Sequence, residues 1–579
     1  MDTPKIWASL HPFYEGGSVL GRTMANRAFI RAFLHMVDVT SFFDAFHFFL
    51  PAQEDVRGLE AQLKKEYPAL QAEGRFLVRL WHTLPEALSQ TDYYCFHLSD
   101  PFVSYAELIR LRNQYSRVIF PVTATTHSLS YKEYGESFLR HMWAGISKRD
   151  AVVATSRCGQ SVVTNFYQML RRNYGFAEEG FPAPAVPIIP LGVALADFPG
   201  PEDRVDAVVP ADLAIKDAEV GGSLRSKTRA RLGFRDEELV FLTLARISYQ
   251  SKMDLLPLLQ AFKRAEAEGL ASRSYHFLLA GWEHEEDTFG SDVELFCRNL
   301  DISCTIVRRP DDAERKALYA AADIFVSPVD NMQETFGLTM LEAAASSLPI
   351  IASDFDGYKD LVRHGRTGLL IPTLGPVDTS DTNVRSGMAA SEYHLRLAQQ
   401  CVVDVKTLGR ALARLGTDSA LGCAMGEEGR KHALEYSWDK IITRYMALWS
   451  DLNAVPLSRE EEQRLRHSAY PCQIDYADLF SGYYSATLDA PDQQTRLLRW
   501  SKRGEAVYRG KDFPVFYTVI KSEIPKEELK KLLLAARRPL PLRDARTVAE
   551  RLREEYKTLG DRDFLLLWAL KHDLLEFVE

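Results

Sequence analysis

The sequence predicts an α/β protein: two consecutive doubly wound domains facing a cleft, followed by a mainly helical extension. Three observations carry that prediction. Short apolar runs alternate with amphipathic stretches up to about residue 455, the pattern of parallel strands buried on both faces and crossed by helices. A polar stretch without periodicity breaks the alternation once, and the series then begins again. From about Pro456 onward the strand-like runs fade and charge-rich helical patterns replace them.

In the first series "KIWASL" has the composition of a strand and leads through a glycine-bearing loop into the helical "RTMANRAFIRAFL". "AFHFFLP", "YYCFHLS", "VIFPVTATTH" and "AVVATS" follow as buried strands, and "VPIIPLGVALADFP" closes the series as a short strand running into a proline-bounded connection. A first domain is therefore expected at residues 1–200, with a linker or insertion at 201–228. The second series, 229–455, holds the strands "LVFLTLARIS", "SYHFLLAGW", "CTIVRR", "DIFVSPV" and "PIIASD", with "DLLPLLQAFKRAEAEG" and "DAERKALYAAA" as helices between them. The amphipathic "SWDKIITRYMALWSDL" ends it. Residues 456–579 form the extension, whose helices are expected in "EELKKLLLAARRPLPLRDARTVAERLREEY" and "DFLLLWALKHDLLEFVE".

At 579 residues the chain is too long for one core. Its composition, 46% hydrophobic and 26% charged with a net charge of -9, is that of a soluble globular protein without an overall nucleic-acid footprint. Seven cysteines are scattered without CxxC pairs, which argues against zinc sites and disulfides and fits a reducing cytoplasm. "MDTPKIWASL" lacks the basic-then-apolar order of a signal peptide, and no apolar run nears the roughly 20 residues of a membrane span. A cytoplasmic protein is expected.

Ligands of doubly wound sheets bind beyond the carboxyl ends of the strands. In that position "DNMQETFGLTMLEAAASSLPI" carries Glu334 and Glu342, with Gly337 between them. "DIFVSPV" predicts a strand and "GLTMLEAAAS" a helix. The intervening loop then delivers the unpaired amides and partial positive charge of a helix N-terminus, which suits phosphate. Glu334 sits just before that N-terminus and Glu342 on the order of 12 Å along the axis from it. Carboxylates accept charge-assisted hydrogen bonds from sugar hydroxyls, each worth roughly 1.5–3 kcal/mol. Two of them flanking an anion site suit a ligand made of a sugar, a diphosphate and another sugar, which is a nucleotide sugar. The plainer alternative is a capping Glu334 and a solvated Glu342.

The segment "SPVDNMQETFGLTMLEAAASSLPIIASDFDGYKDLVRHGRTGLLIPT" resembles the donor-site signature of glycosyltransferase family 4, retaining enzymes of the GT-B fold. "LARISYQSK", "AADIFVSP", "LEYSW", "VATSRCGQ" and "IIPLGV" extend the resemblance over roughly residues 1–452, and the extension lies outside it. The resemblance implies that Arg246 and Lys252 neutralise the donor diphosphate as it leaves. It implies that the amides around Phe336, Gly337, Leu338 and Thr339 hold phosphate oxygens, that Glu334 bonds the transferred sugar, and that Glu342 bonds the ribose. Gly16 and Gly17 would let the loop after the first strand approach the donor phosphates, and His127 would contact the transferred sugar near the reacting centre. The family mechanism implies front-face substitution in which the leaving phosphate helps deprotonate the acceptor hydroxyl, without a protein nucleophile. The residues agree in part: a strand end followed by a helix start puts Arg246 and Lys252 at the cleft, where developing charge is best stabilised. A glycine pair by itself is often only a turn.

Some features depart from the family or fall outside it. Ala345 and Ser347 stand where the family usually has methionine and glycine, both packing positions. "DFD", residues 354–356, imitates the Asp-x-Asp of metal-dependent transferases but leads into Gly357, where this family has a glycine-bearing turn. A structural role is expected for it, with no essential metal and no cofactor beyond the nucleotide-sugar co-substrate. "TLGPVDTSDTNVRSGMAASEYHLRLAQQCVVDVKTL" is longer than the usual connection and reads as a variable loop beside the cleft. Arg22, Arg27 and Arg31 recur at near-helical spacing, as a solvated face or as a surface for an anionic acceptor or membrane. The acceptor (saccharide, lipid-linked, small molecule or protein) and any homo-oligomer made through the extension stay open. Two other readings compete. One is a silent GT-B module acting through its tail, which the intact Arg246, Lys252, Glu334 and Glu342 oppose. The other is a nicotinamide-dependent dehydrogenase, which the lack of GxGxxG after the first strand opposes.

Overall fold

The structure is a computed structural model that describes residues 4–14, 21–200, 223–235, 237–271, 274–284, 287–385, 390–556 and 561–578. It divides into two compact units, one of Met1–Trp81 with Leu88–Pro471, the other of Cys472–Glu579 with His82–Ala87.

The larger unit contains two six-stranded sheets. The first is built from β1 (Ile6–Ser9), β2 (Ala45–Leu50), β3 (Phe76–Leu80), β4 (Cys95–Leu98), β5 (Val122–Thr125) and β6 (Ala151–Val153), in the order β3-β2-β1-β4-β5-β6. Every neighbouring pair runs parallel, with Trp7 opposite Cys95 and Phe96 opposite Val122. Strands such as β1 and β4 are buried at every position, because crossover helices cover both faces. The second sheet is built from β7 (Leu239–Leu244), β8 (Tyr275–Gly281), β9 (Cys304–Arg308), β10 (Ile324–Ser327), β11 (Ile350–Ser353) and β12 (Gly368–Ile371). Its order, β12-β11-β10-β7-β8-β9, repeats the first arrangement. The strand order reverses between β7 and β10, and a crevice opens beyond the carboxyl ends of those two strands. The loops that follow them carry Arg246, Lys252 and Glu334. Two doubly wound domains facing a cleft constitute the GT-B architecture.

Three boundaries differ from the sequence expectation. The helix Trp438–Ala454, assigned to the second domain at 229–455, packs into the core of the first. Its stripe of Trp438, Ile441, Ile442, Tyr445 and Trp449 lies against Trp7, Phe29, Phe33 and Phe43. Tyr445 and Trp449 hydrogen-bond Thr125 and Thr123 on β5, at 2.7 and 2.9 Å. Each buried isoleucine of this stripe contributes about 1.5–3 kcal/mol of burial, so the helix straps the second domain's chain end to the first. The helix Leu224–Leu232 begins inside the expected linker 201–228 and is capped by Ser223. The helix Arg459–His467, counted with the extension at 456–579, belongs to the larger unit, where Arg466 donates to the Ser116 carbonyl at 2.6 Å.

The described residues of the long connection after β12 include regular elements. A two-stranded antiparallel ladder, β13 (Thr373–Leu374) with β14 (Val402–Val403), brackets the helices Ser380–Arg385 and Ala390–Ala398. The smaller unit has helices at Lys526–Ala535, Leu542–Tyr556 and Phe564–Lys571, packed through Leu532, Leu533, Leu542 and Leu566. It also contains a small antiparallel sheet, β16-β15-β17, of β15 (Leu497–Trp500), β16 (Leu540–Pro541) and β17 (Leu575–Phe577). Its strands are two to four residues long, too short to show an alternating pattern in sequence. Among the described residues no helix is long and apolar enough to cross a membrane, and all seven cysteines are free.

Candidate functional site

A cleft of about 640 Å³ lies between the two sheets of the larger unit and takes residues from both. Its second-domain wall starts at the end of β10, where the chain turns through residues 328–337 into the helix Leu338–Ala345. Gly337 caps that helix at φ +96°, a backbone region that disfavours any side chain. A Cβ there would stand 2.3 Å from the Tyr358 ring. One at Gly357 would stand 2.7 Å from the Thr335 carbonyl. The turn after β11 therefore serves as a bed for the loop, which is why a glycine follows "DFD".

Glu334 is gripped from several sides. Lys252 Nζ forms an ion pair with Oε2, Tyr358 donates to the same oxygen at 3.2 Å, and the Thr335 and Phe336 amides donate to Oε1 at 3.1 and 3.3 Å. Burial pushes this carboxyl up, but the Lys252 ammonium and those amides outweigh it and hold it below the usual value. Glu342 is only 8% exposed. It pairs with Arg315 Nη1 at 3.1 Å and accepts from the Tyr319 hydroxyl at 2.8 Å. Burial raises its carboxyl despite the Arg315 charge. The alternative of a solvated Glu342 is thereby excluded. Both carboxylates line the cleft together with Phe336, Gly337, Leu338 and Thr339. The Phe336 amide is turned onto Glu334, so of the four expected phosphate donors it is the one already engaged by the protein.

Arg246 follows β7 and reaches into the same cleft, within 3.2 Å of the Ser251 carbonyl and 3.4 Å of Gln333 Oε1. Burial lowers its pKa, and the Tyr131 and Glu334 side chains act against that fall. On the first-domain wall His127 follows β5. Its Nε2 lies 3.0 Å from the Ser99 carbonyl and 3.2 Å from Asn26 Oδ1. Burial and then the Arg22 charge lower its pKa to about 4, so the ring is neutral at physiological pH. Its Nε2–H donates to Ser99, and Nδ1 keeps a free lone pair. Gly16 and Gly17 lie outside the described residues.

The structure also brings further cations to the cleft. Arg22, Arg27 and Arg31 line the cleft on the first-domain side; they are not only a solvated face. Arg309, Arg315 and Lys316 line the opposite side. Arg315 and Tyr319 are four apart on the helix Asp312–Ala321, so their shared face was a readable signal. What they point at was not readable. First-domain serines hold the loop after β10 by its backbone: Ser128 donates to the Gln333 carbonyl at 2.8 Å and Ser156 to the Thr335 carbonyl at 2.9 Å.

Asp356 of "DFD" adopts φ +44° and has a buried, unpartnered Oδ2. Burial and the nearby Glu334 charge raise its carboxyl well above the usual range. Among the described residues no group of three or more His, Cys, Asp or Glu is placed to hold a metal ion.

Asp330, at the start of the loop after β10, is 4% exposed, and burial pushes its carboxyl up to about 7. An acid whose folded pKa exceeds its unfolded value stabilises the fold only while protonated. Its contribution is therefore present below about pH 4 and is lost as pH rises toward 7. Asp330→Asn is expected to raise the melting temperature at pH 8 and leave it unchanged at pH 4. An equal shift at both values would remove Asp330 as the titrating group.

Comparison with known proteins bears on the same region. The Glycosyl transferases group 1 family model matches residues 238–382. That stretch of the second domain is similar to the glycosyltransferase group 1 family. The family 4 resemblance of its loops and strands is borne out over that stretch. The chain is similar to D-inositol 3-phosphate glycosyltransferase of Nocardioides sp., 30% identical over 268 residues, covering 42% of this chain and 57% of that one. It is similar to the enzyme of the same name from Streptomyces bingchenggensis, 27% identical over 218 residues, 37% of this chain and 41% of that one. The chain thus spans about half the length of these curated relatives. Among solved structures, a glycosyltransferase from Rickettsia africae aligns at TM-score 0.49 and 16% identity, over 79% of this chain and 100% of that one. HepE of Anabaena, crystallised with UDP and glucose, aligns at TM-score 0.49 and 14% identity, over 77% of this chain and 100% of that one. Arg246, Lys252, Glu334, Glu342, Arg315 and the N-terminus of the helix Leu338–Ala345 all lie within the matched residues 238–382.

Proposed function

We propose that this chain transfers a sugar from a nucleoside-diphosphate sugar to a hydroxyl acceptor, with retention and without a metal. The observation that carries the reading is the convergence at one cleft wall of Lys252, Arg246 and the N-terminus of the helix Leu338–Ala345 with the half-buried carboxylate of Glu334 and the buried one of Glu342. Charge accumulates on the diphosphate as the sugar departs, and fixed cations and amides in a partly dry site stabilise it. Lys252 is paired with Glu334 in the free protein. When it turns to phosphate, a Glu334 oxygen becomes available to the sugar hydroxyls. Glu342 is held by Arg315 and Tyr319, one on each oxygen, and each oxygen keeps a lone pair for a ribose hydroxyl. His127, neutral and donating from Nε2, offers Nδ1 to a hydroxyl of the transferred sugar. The leaving phosphate takes the acceptor proton, and no protein nucleophile is used.

On the acceptor side Arg22, Arg27 and Arg31 line the cleft, which favours an acceptor bearing a phosphate or carboxylate. The relatives' name, with its inositol 3-phosphate, supports that choice.

Slow hydrolysis of UDP-, GDP- and ADP-sugars without acceptor tests the reading. One donor is expected to turn over, and transfer is expected to rise on adding a phosphorylated polyol. No hydrolysis and no nucleotide binding by calorimetry would replace this reading with the catalytically silent module.

A further inference from the structure

The helix Ala390–Ala398 belongs to the long connection after β12, and nothing in the donor-site reading requires it. Yet it is wedged against both walls of the cleft. His394, on this helix, is 1% exposed. Its Nε2 lies 2.9 Å from Ser130 Oγ and 3.2 Å from the Ser130 carbonyl, on the first-domain loop that begins at His127. Its Nδ1 lies 2.8 Å from the Gln333 side-chain nitrogen, one residue before Glu334. Tyr131 meets the His394 ring edge-on at 5.1 Å between centroids, and Lys132 Nζ sits 4.3 Å from the Tyr393 ring. At the helix end Gln399 donates to Asp254 at 3.1 Å, in the loop that carries Lys252.

The donor and acceptor chemistry of these contacts leaves little freedom. The Ser130 carbonyl only accepts, so His394 Nε2 carries the proton and donates it there, and Nδ1 of the neutral ring is the acceptor. That fixes which way the Gln333 amide faces: nitrogen to His394, oxygen to Arg246 Nη2 at 3.4 Å. The Gln333 carbonyl is pinned as well, by Ser128. A continuous polar chain therefore runs from the first-domain loop through His394 and Gln333 to Arg246.

We propose that His394 is a positioning residue of the donor site. It sets the Gln333 amide so that its oxygen faces Arg246, and it makes that setting depend on docking of the first-domain loop at Ser130. The insertion helix is then part of the active site, and the two cleft walls are coupled through one imidazole. This inference rests on the reading of Arg246 as a diphosphate-binding cation.

The test compares His394→Ala, His394→Asn and Gln333→Ala in the full chain. Asparagine keeps an acceptor where Nδ1 was, and alanine does not. His394→Ala is expected to lower kcat for donor hydrolysis about tenfold, the scale of one lost hydrogen bond, with little change in melting temperature. His394→Asn should recover to within about threefold, since only the acceptor position matters to Gln333. His394→Ala combined with Gln333→Ala should be no worse than either alone, because both cut one chain. Full turnover in His394→Ala, an asparagine variant as impaired as alanine, or additive losses in the double variant would each overturn the proposal. Amide hydrogen exchange over residues 328–340 gives a readout independent of turnover. Exchange should quicken in His394→Ala and return in His394→Asn even if no nucleotide sugar is a substrate; unchanged exchange in both would overturn the coupling.

Discussion

Lys252→Ala is expected to reduce sugar transfer by about 10²–10³-fold, the loss that follows removal of one group stabilising a developing anion. Two consequences of that substitution have to be separated. The first is the lost cation at the diphosphate. The second is local: Lys252 is the ion-pair partner of Glu334 and holds that carboxyl down against a burial that would raise it. Without the ammonium, Glu334 is left as a poorly compensated charge, and its pKa should rise. A buried pair broken on one side costs the fold up to about 3–5 kcal/mol, although residual exposure of 16% and 11% softens it here. Lys252→Ala combined with Glu334→Gln removes the stranded charge. It should recover most of the lost melting temperature and none of the turnover. Wild-type transfer in a folded Lys252→Ala variant would take this pair out of the site.

Asp150→Ala is expected to cost about 3–5 kcal/mol of folding stability, the penalty for leaving a buried charge without its partner. Arg112 and Asp150 are both fully buried in the first domain. Arg112 Nη2 meets Asp150 Oδ2 at 3.0 Å, and Nη1 also donates to the Phe120 carbonyl at 2.7 Å. Asp150 accepts further from the Ser147 and Val122 amides, at 2.8 and 3.3 Å. The pair thus joins the helix Tyr105–Tyr115 to the starts of β5 and β6. Chemical denaturation should show the loss as a lower midpoint. Replacing both residues by apolar ones of similar volume should cost much less, since no charge is then stranded. A single variant as stable as wild type would mean that water reaches Arg112 once the carboxylate is gone.

Much of this molecule was legible in its sequence because the signals are local. Five strands of each sheet are legible as apolar runs, since strands covered on both faces bury most positions; the edge strands β3, half-exposed and interrupted by Arg79, and β12, four residues opening on a glycine, are not. "DNMQETFG" announced a strand–loop–helix with carboxylates, because Gly337 and the helix start are properties of neighbouring residues. What stayed hidden depends on contacts between residues far apart in the chain. The helix Trp438–Ala454 shows its apolar stripe in sequence, but not that the stripe belongs to the first domain's core 300 and more residues earlier. Arg22, Arg27 and Arg31 show helical spacing, but only the placing of their helix beside the cleft makes that exposed face part of its lining. His394 reads as one histidine in a polar insertion until the fold sets it between Ser130 and Gln333. The sequence by itself determined five strands of each sheet, the strand–loop–helix after β10 and its two carboxylates, because short-range periodicity and turn chemistry encode them. Only the tertiary structure decided which helix closes which core and which side chains meet across the cleft, because those pairings are set by packing over long chain separations, where periodicity carries no address.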